Sequence, residues 1–325
     1  MFFAEISGSA VADVAALGSI LIPAMKKKGY PGPFAAAVTS SSASLAIIIP
    51  PSIPMIVYAV MAQSSVVQLF VAGVVPGIIG GFLMMFAAYI YARRKNLPIE
   101  ENFNLVNLRK TAKEAALAFL LPIIILGGIF GGVVTATEGA GLAVVAALII
   151  GLIYREFDFK RLYQAATEGA IQTAAVMLLV AASVLLGEFL TVEQIPQKVA
   201  ESIIDMTQNK YAVLAILNVF LLVIGFFLHS VAAIILTVPI VMPLVNAVGI
   251  DPVHFGIIVT LNLAIGQQTP PVASVLVTAC SVAKADIWDV TRANIMFICV
   301  LLFLLMLVTY VPAVPMTLVE FFYRS

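Results

Sequence analysis

Charge is what this sequence lacks. Only 10% of its 325 residues are Asp, Glu, Lys or Arg, against roughly 25% in an ordinary soluble domain. With 62% hydrophobic residues and a mean hydropathy of +1.11, no soluble core could hide the apolar surface, so lipid must be the main solvent. Seventeen basic residues balance seventeen acidic ones, which argues against nucleic acid as a partner. Cysteine is nearly absent. Cys280 and Cys299 lie in separate apolar runs and offer neither a disulfide framework nor a metal-ligand cluster. The Gly-x4-Gly-Lys-Ser/Thr pattern of a P-loop is missing too, which removes that kind of nucleotide-driven pump.

What is present is helix-length apolar sequence. No charged residue occurs between Lys28 and Arg93, a stretch too long for one span of roughly 20 residues. Pro50-Pro51 and the small-residue run Thr39–Ser44 interrupt its first half. The pattern predicts a broken span over about Phe34–Ala62 and a continuous one over about Val66–Ala92. Scaffold spans follow within 113–190, at about Ala115–Val133, Thr135–Tyr154 and Gly169–Leu190. The polar segment Glu193–Asp205 reads as an interfacial helix or loop. Residues of about 211–246 are apolar but interrupted at Leu228-His229-Ser230, which favours a re-entrant hairpin over one long span. A second broken helix covers about 253–284, and a closing helix about 290–316. The fold class expected is an all-α polytopic membrane protein.

Shifting the chain by 220 residues lays Pro23 on Pro243, Gly29 on Gly249 and Pro50-Pro51 on Pro270-Pro271. These coincidences carry weight because proline and glycine set backbone geometry. The charges do not repeat with them. Lys26–Lys28 falls on Asn246-Ala247-Val248, and Arg93-Arg94-Lys95 on Ala313-Val314-Pro315, whereas Ser64 falls on Lys284. Basic loops mark the cytoplasmic side, so equivalent loops face opposite sides: an inverted repeat, with 1–112 and 113–325 as its halves. The pass count closes only if the region around 211–246 enters and leaves from one side. The second half begins about 100 residues ahead of its hairpin tip, while only Met1–Gly8 precede the first tip. The expectation is therefore a longer parent chain, beginning with helices that are not in this sequence.

The matched interruptions are where chemistry is expected. Proline removes a donor and frees a carbonyl one turn earlier. Freed carbonyls with Ser, Thr and Asn oxygens suit a hard cation such as Na⁺, and the amide ends of broken helices suit a carboxylate. The first cation site is assigned to Ser7, Gly8, Ser9, Ser41, Ile49 and Pro50, and the second to His229, Ser230, Asn262, Gly266, Thr269 and Pro270. Ser9, Asp13, Ser42, Ser44, Ser52 and Gln268 are the candidates for the substrate. Small residues in membrane helices also simply permit close packing. Asp13, an intramembrane acid, can orient the tip, contact the substrate or cap a helix. His229 can be a ligand or a tip anchor. Glu138 and Glu168, each in an Ala-Thr-Glu-Gly-Ala pentad, read as helix starts, and His254 as interfacial. Gly8-Ser9 with His229 allows a weak alternative, an intramembrane serine protease. Their matching places in the two halves explain them as paired tips, so no residue is assigned a catalytic role.

The run Ile6-Ser7-Gly8-Ser9-Ala10-Val11-Ala12-Asp13, with Ile49-Pro50-Pro51-Ser52 and Gly266-Gln267-Gln268-Thr269-Pro270-Pro271, resembles the large membrane subunit of tripartite ATP-independent periplasmic (TRAP) transporters. The resemblance covers essentially the whole chain and looks closest to the sialic-acid branch, with C4-dicarboxylates next. It implies an elevator-type transporter of the bacterial inner membrane with hairpin-tip Na⁺ sites and Na⁺-driven uptake of an organic acid. It also implies a small membrane subunit and a periplasmic substrate-binding protein as partners. A stand-alone ion-coupled carboxylate carrier of the same architecture is the second reading, and it differs in needing no binding protein.

Overall fold

The computed structural model describes residues 8–97, 105–155 and 158–323. Helix is the only regular secondary structure among them. Six helices are long and apolar enough to cross a membrane. The chain divides into two compact units, one of residues 1–98 and 182–325, the other of residues 99–181.

In the first unit, proline decides where apolar sequence stops being helix. After α1 (Ala10–Ala16) and α2 (Gly18–Lys27), Gly29 turns the chain at φ +86°. α3 (Gly32–Ala46) then unwinds through tight turns, Ile48 N donating to Leu45 O at 3.2 Å and Ile49 N to Ala46 O at 3.0 Å. Pro50 and Pro51 have no N–H with which to continue. α4 (Ile53–Met61) restarts behind Ser52, whose hydroxyl accepts from Met55 N, a helix N-cap. α5 (Val66–Arg94) closes this half.

The same events recur 220 residues on. α10 (Lys210–Phe227) stops at two extended residues, Leu228 and His229, before α11 (Ser230–Ala247), and Gly249 turns the chain at φ +69°. α12 (Pro252–Gly266) unwinds with Gln268 N on Ile265 O and Thr269 N on Gly266 O, each 3.0 Å. α13 (Ser274–Ala283) and α14 (Ile287–Tyr310) follow. Both Pro-Pro bonds are cis. The packing is reciprocal: α4 lies against α11 and α12, while α13 lies against α1, α2 and α3; α5 touches α12, and α14 touches α3.

Two contacts set the relative direction of the broken helices. Lys26 Nζ, from the last turn of α2 just before α3, donates to the carbonyl of Ala283 at the end of α13, 2.8 Å away. Tyr58 Oη, near the end of α4, donates to the carbonyl of Pro252 at the start of α12, 2.7 Å away. Each broken helix starts where the other ends, so the two run antiparallel.

Between the halves in sequence lie α6 (Leu105–Phe130), α7 (Ala136–Ile153), α8 (Phe159–Val192) and α9 (Ile195–Met206). The second unit contains α6, α7 and the first part of α8. α7 begins in a capping box. Thr135 Oγ1 accepts from Glu138 N at 3.3 Å, and Glu138 Oε2 accepts from Thr135 N at 2.8 Å. Glu138 is thus the helix start expected, but Glu168 is not: it lies inside α8. That helix begins three turns earlier than its apolar run, where Asp158 Oδ1 accepts from Lys160 N at 2.9 Å. The closing helix also differs from expectation. It ends at Tyr310, ahead of Pro312, and α15 (Ala313–Tyr323) is a separate helix packed on α5.

Candidate functional site

The first interruption is held between the Gly8 turn and α5. Gly8 sits at φ +64°, and a Cβ on it would come within 3.3 Å of both Pro51 O and Ile53 N. The backbone before α1 therefore abuts the start of α4. Ser9 is extended, and Asp13, buried on α1, donates its N–H to Ser9 O at 2.9 Å. From the other side Gly73 of α5 presses on the Ile48 carbonyl, where a Cβ would lie only 2.1 Å from the oxygen. Gly77 takes the Ile49 side chain in the same way.

The second interruption is held by a glycine pair. A Cβ on Gly266 would lie 2.4 Å from the carbonyl carbon of Gly225 on α10. One turn before Gly266, Asn262 is fully buried. Its amide nitrogen donates to Ile258 O at 2.9 Å and to Asn218 Oδ1 at 2.6 Å, and Asn218 Nδ2 donates to Thr309 Oγ1 at 3.1 Å. Ile258 O can only accept, which fixes the amide with its oxygen outward. That oxygen, Asn262 Oδ1, has no hydrogen-bond partner although it is buried. A buried acceptor with no protein donor calls for a water or an ion. Among the described residues no three His, Cys, Asp or Glu come together.

A polar network joins the second interruption to α3, whose Thr39–Ser44 run is continuous helix and not the break expected; the first interruption is confined to the residues around Pro50-Pro51. Gln268 Nε2 donates to Ser40 O at 2.7 Å and Ser44 Oγ at 2.6 Å. Its Oε1 accepts from Asn294 Nδ2 at 2.9 Å, and Asn294 Oδ1 accepts from Ser41 Oγ at 2.5 Å. All five residues are fully buried. Inside apolar surroundings such a network is tolerated only because its members satisfy one another.

Residues 1–314 match the family model described as tripartite ATP-independent periplasmic transporter, DctM component. The chain belongs to the DctM family. The isethionate TRAP transporter permease protein DctMQ of Oleidesulfovibrio alaskensis is 42% identical over 97% of this chain and 50% of its own length. The C4-dicarboxylate large permease DctM of Pseudomonas aeruginosa is 39% identical over 98% of this chain and 75% of its own length. The sialic acid large permease SiaM of Vibrio cholerae is 33% identical, over 99% and 76%. The chain thus spans half to three-quarters of these relatives, and the comparisons do not single out the sialic-acid branch. They are named as permeases, not enzymes. Family membership and the apolar helices make this a multi-pass protein of the bacterial inner membrane.

Within this DctM chain the candidate residues fall as follows. Ser9, Ser42, Ile49, Thr269 and Pro270 are half-buried, Ser41, Ser44, Ser52, Ser230, Asn262 and Gly266 are buried, and His229 is exposed. Ser7 lies outside the described residues. Gln268, a substrate candidate, commits both ends of its amide to protein. Ser52 is the N-cap of α4. Asn262 is joined to Asn218 and Thr309. His254 is buried on α12, its Nε2 at 2.8 Å from Val308 O. Sequence reasoning missed Asn218, Asn294 and Thr309. Each is a polar residue inside an apolar span, and that was the signal available.

Proposed function

We propose that this chain is the core of a large permease subunit that couples Na⁺ entry to uptake of a small organic acid by an elevator-type movement. The observation that carries the reading is the pair of antiparallel broken helices, tied together where Gln268 at the second interruption bonds Ser40 and Ser44 of α3. Each interruption offers hard oxygens and a helix amide end in a buried setting, the arrangement that secondary transporters use for a cation and an anionic substrate. The unpaired Asn262 oxygen supports a cation there. Inverted halves in the membrane, with α10 and α11 as arms of one re-entrant hairpin, account for both the charge pattern and the antiparallel packing. The word "tripartite" in the family description supports a small membrane subunit and a periplasmic binding protein as partners. Relatives are named for isethionate, C4-dicarboxylate and sialic acid, so the substrate proposed is a small organic anion.

The test is uptake by the complete transporter in proteoliposomes, with and without its binding protein. Labelled isethionate, a C4-dicarboxylate and sialic acid are each offered with and without an inward Na⁺ gradient. Accumulation of one of them that needs both Na⁺ and the binding protein is the expected result. Gradient-independent uptake would refute coupling, and uptake without the binding protein would favour a stand-alone carrier. Asp13→Asn and Ser9→Ala are expected to lower uptake at least about tenfold, a loss of roughly 1.4 kcal/mol, with assembly retained.

A further inference from the structure

Four side chains and one carbonyl between α3, the end of α12 and α14 form a one-way hydrogen-bond relay, and its direction is forced. Ser40 O is a backbone carbonyl and can only accept, so the group of Gln268 facing it at 2.7 Å is the amide nitrogen. The oxygen of Gln268 therefore faces Asn294, which must present its own nitrogen, 2.9 Å away. The oxygen of Asn294 then faces Ser41 Oγ at 2.5 Å, and of those two oxygens only the hydroxyl has a proton to give. The Ser41 proton is thus turned toward Asn294 and its lone pairs are left for other company. None of this is a by-product of the internal repeat. Under the 220-residue shift Asn294 falls on Val74 and Gln268 on Ile48, both apolar.

We infer that Asn294 is a positioning residue that holds the Ser41 hydroxyl as a cation acceptor and ties that orientation to the interruption of the opposite half. It touches neither cation nor substrate. It acts through Ser41, a candidate ligand of the first cation site, and through Gln268, which sits in the stretch that carries the second. The two sites then share one element: while Gln268 stays docked on Ser40, Ser41 stays poised. Displacing Gln268 releases the Ser41 proton and lets it turn toward the cation. This inference rests on the cation-coupled reading above.

The experiment uses the purified complete transporter in detergent, its melting temperature followed as NaCl replaces choline chloride at constant ionic strength. Asn294→Ala, Gln268→Met and the double variant are compared with the unaltered protein. The Na⁺ concentration for half-maximal stabilisation is expected to rise roughly tenfold in each single variant, about what one net hydrogen bond is worth. The double variant is expected to be no worse than either, because both changes break one relay. If Asn294→Ala does not fold, Gln268→Met, close in volume and without the amide, decides alone. Variants that melt lower in choline but keep the unaltered Na⁺ response would show a merely structural network and overturn the inference, as would additive losses. An unaltered transporter that shows no Na⁺ response would instead remove the cation reading itself.

Discussion

Gly225 and Gly266 meet backbone on backbone, close enough that a Cβ on Gly266 would lie 2.4 Å from the Gly225 carbonyl carbon. The obstructing atoms belong to a helix and cannot swing aside. Gly266→Ala is expected to destabilise the transporter by about 3 kcal/mol, the upper end of ordinary overpacking. Gly225→Ala is milder, since its Cβ would meet Gly266 Cα at 3.2 Å. Thermal melting of the two variants checks the order, and a Gly266→Ala variant as stable as the parent would contradict the packing described.

Gly73→Ala makes the matching test at the first interruption. Its Cβ would fall 2.1 Å from Ile48 O, so the carbonyl or α5 must move. Uptake is expected to need about tenfold more Na⁺, a shift of roughly 1.4 kcal/mol. Gly141→Ala is the control, because nothing lies within 4 Å of a Cβ there. It should leave Na⁺ dependence unchanged and add up to about 1 kcal/mol of helix stability.

Asn262→Ala removes the unpaired oxygen and also the donor to Asn218. If that oxygen serves a cation, Na⁺-dependent stabilisation should fall about tenfold in apparent affinity, again roughly 1.4 kcal/mol. Asn218→Ala, which leaves the oxygen of Asn262 in place on its Ile258 tether, should lower stability more than Na⁺ affinity. Equal Na⁺ responses in the two variants would count against the assignment.

Thr135→Ala deletes one side of the capping box on α7. The expected cost is about 1 kcal/mol of stability, with transport per assembled molecule unchanged. A change in substrate or Na⁺ dependence would mean that α7 takes part in the transport step.

Spans, interruptions and turns were legible in the sequence because proline, glycine and the absence of charge act locally. Pro50-Pro51, Pro270-Pro271, Gly29 and Gly249 mark the interruptions and turns seen in the structure. The partners were not legible. Asn294 reaches Ser41 across 253 positions of sequence, and nothing near either residue announces the other. Gly73 and Gly225 look like any small residue in an apolar helix until the opposing backbone is placed. Glu168 misled because its pentad copies that of Glu138, but the cap is Thr135, outside the pentad and behind the Gly131-Gly132 turn that stops the previous helix; the matching position ahead of Glu168 is Ala165, which cannot cap.

The contacts Lys26–Ala283 and Tyr58–Pro252 have an electrical corollary. A helix carries about half an elementary charge of opposite sign at its two ends, and two helices lying side by side and antiparallel cancel that axial moment. If this element moves as the elevator reading proposed above requires, its backbone should couple weakly to the membrane potential. On that reading the voltage, worth about 2.3 kcal/mol per elementary charge per 100 mV, acts on the ions carried. Current measured during transport should consequently count passengers, with little contribution from the vehicle.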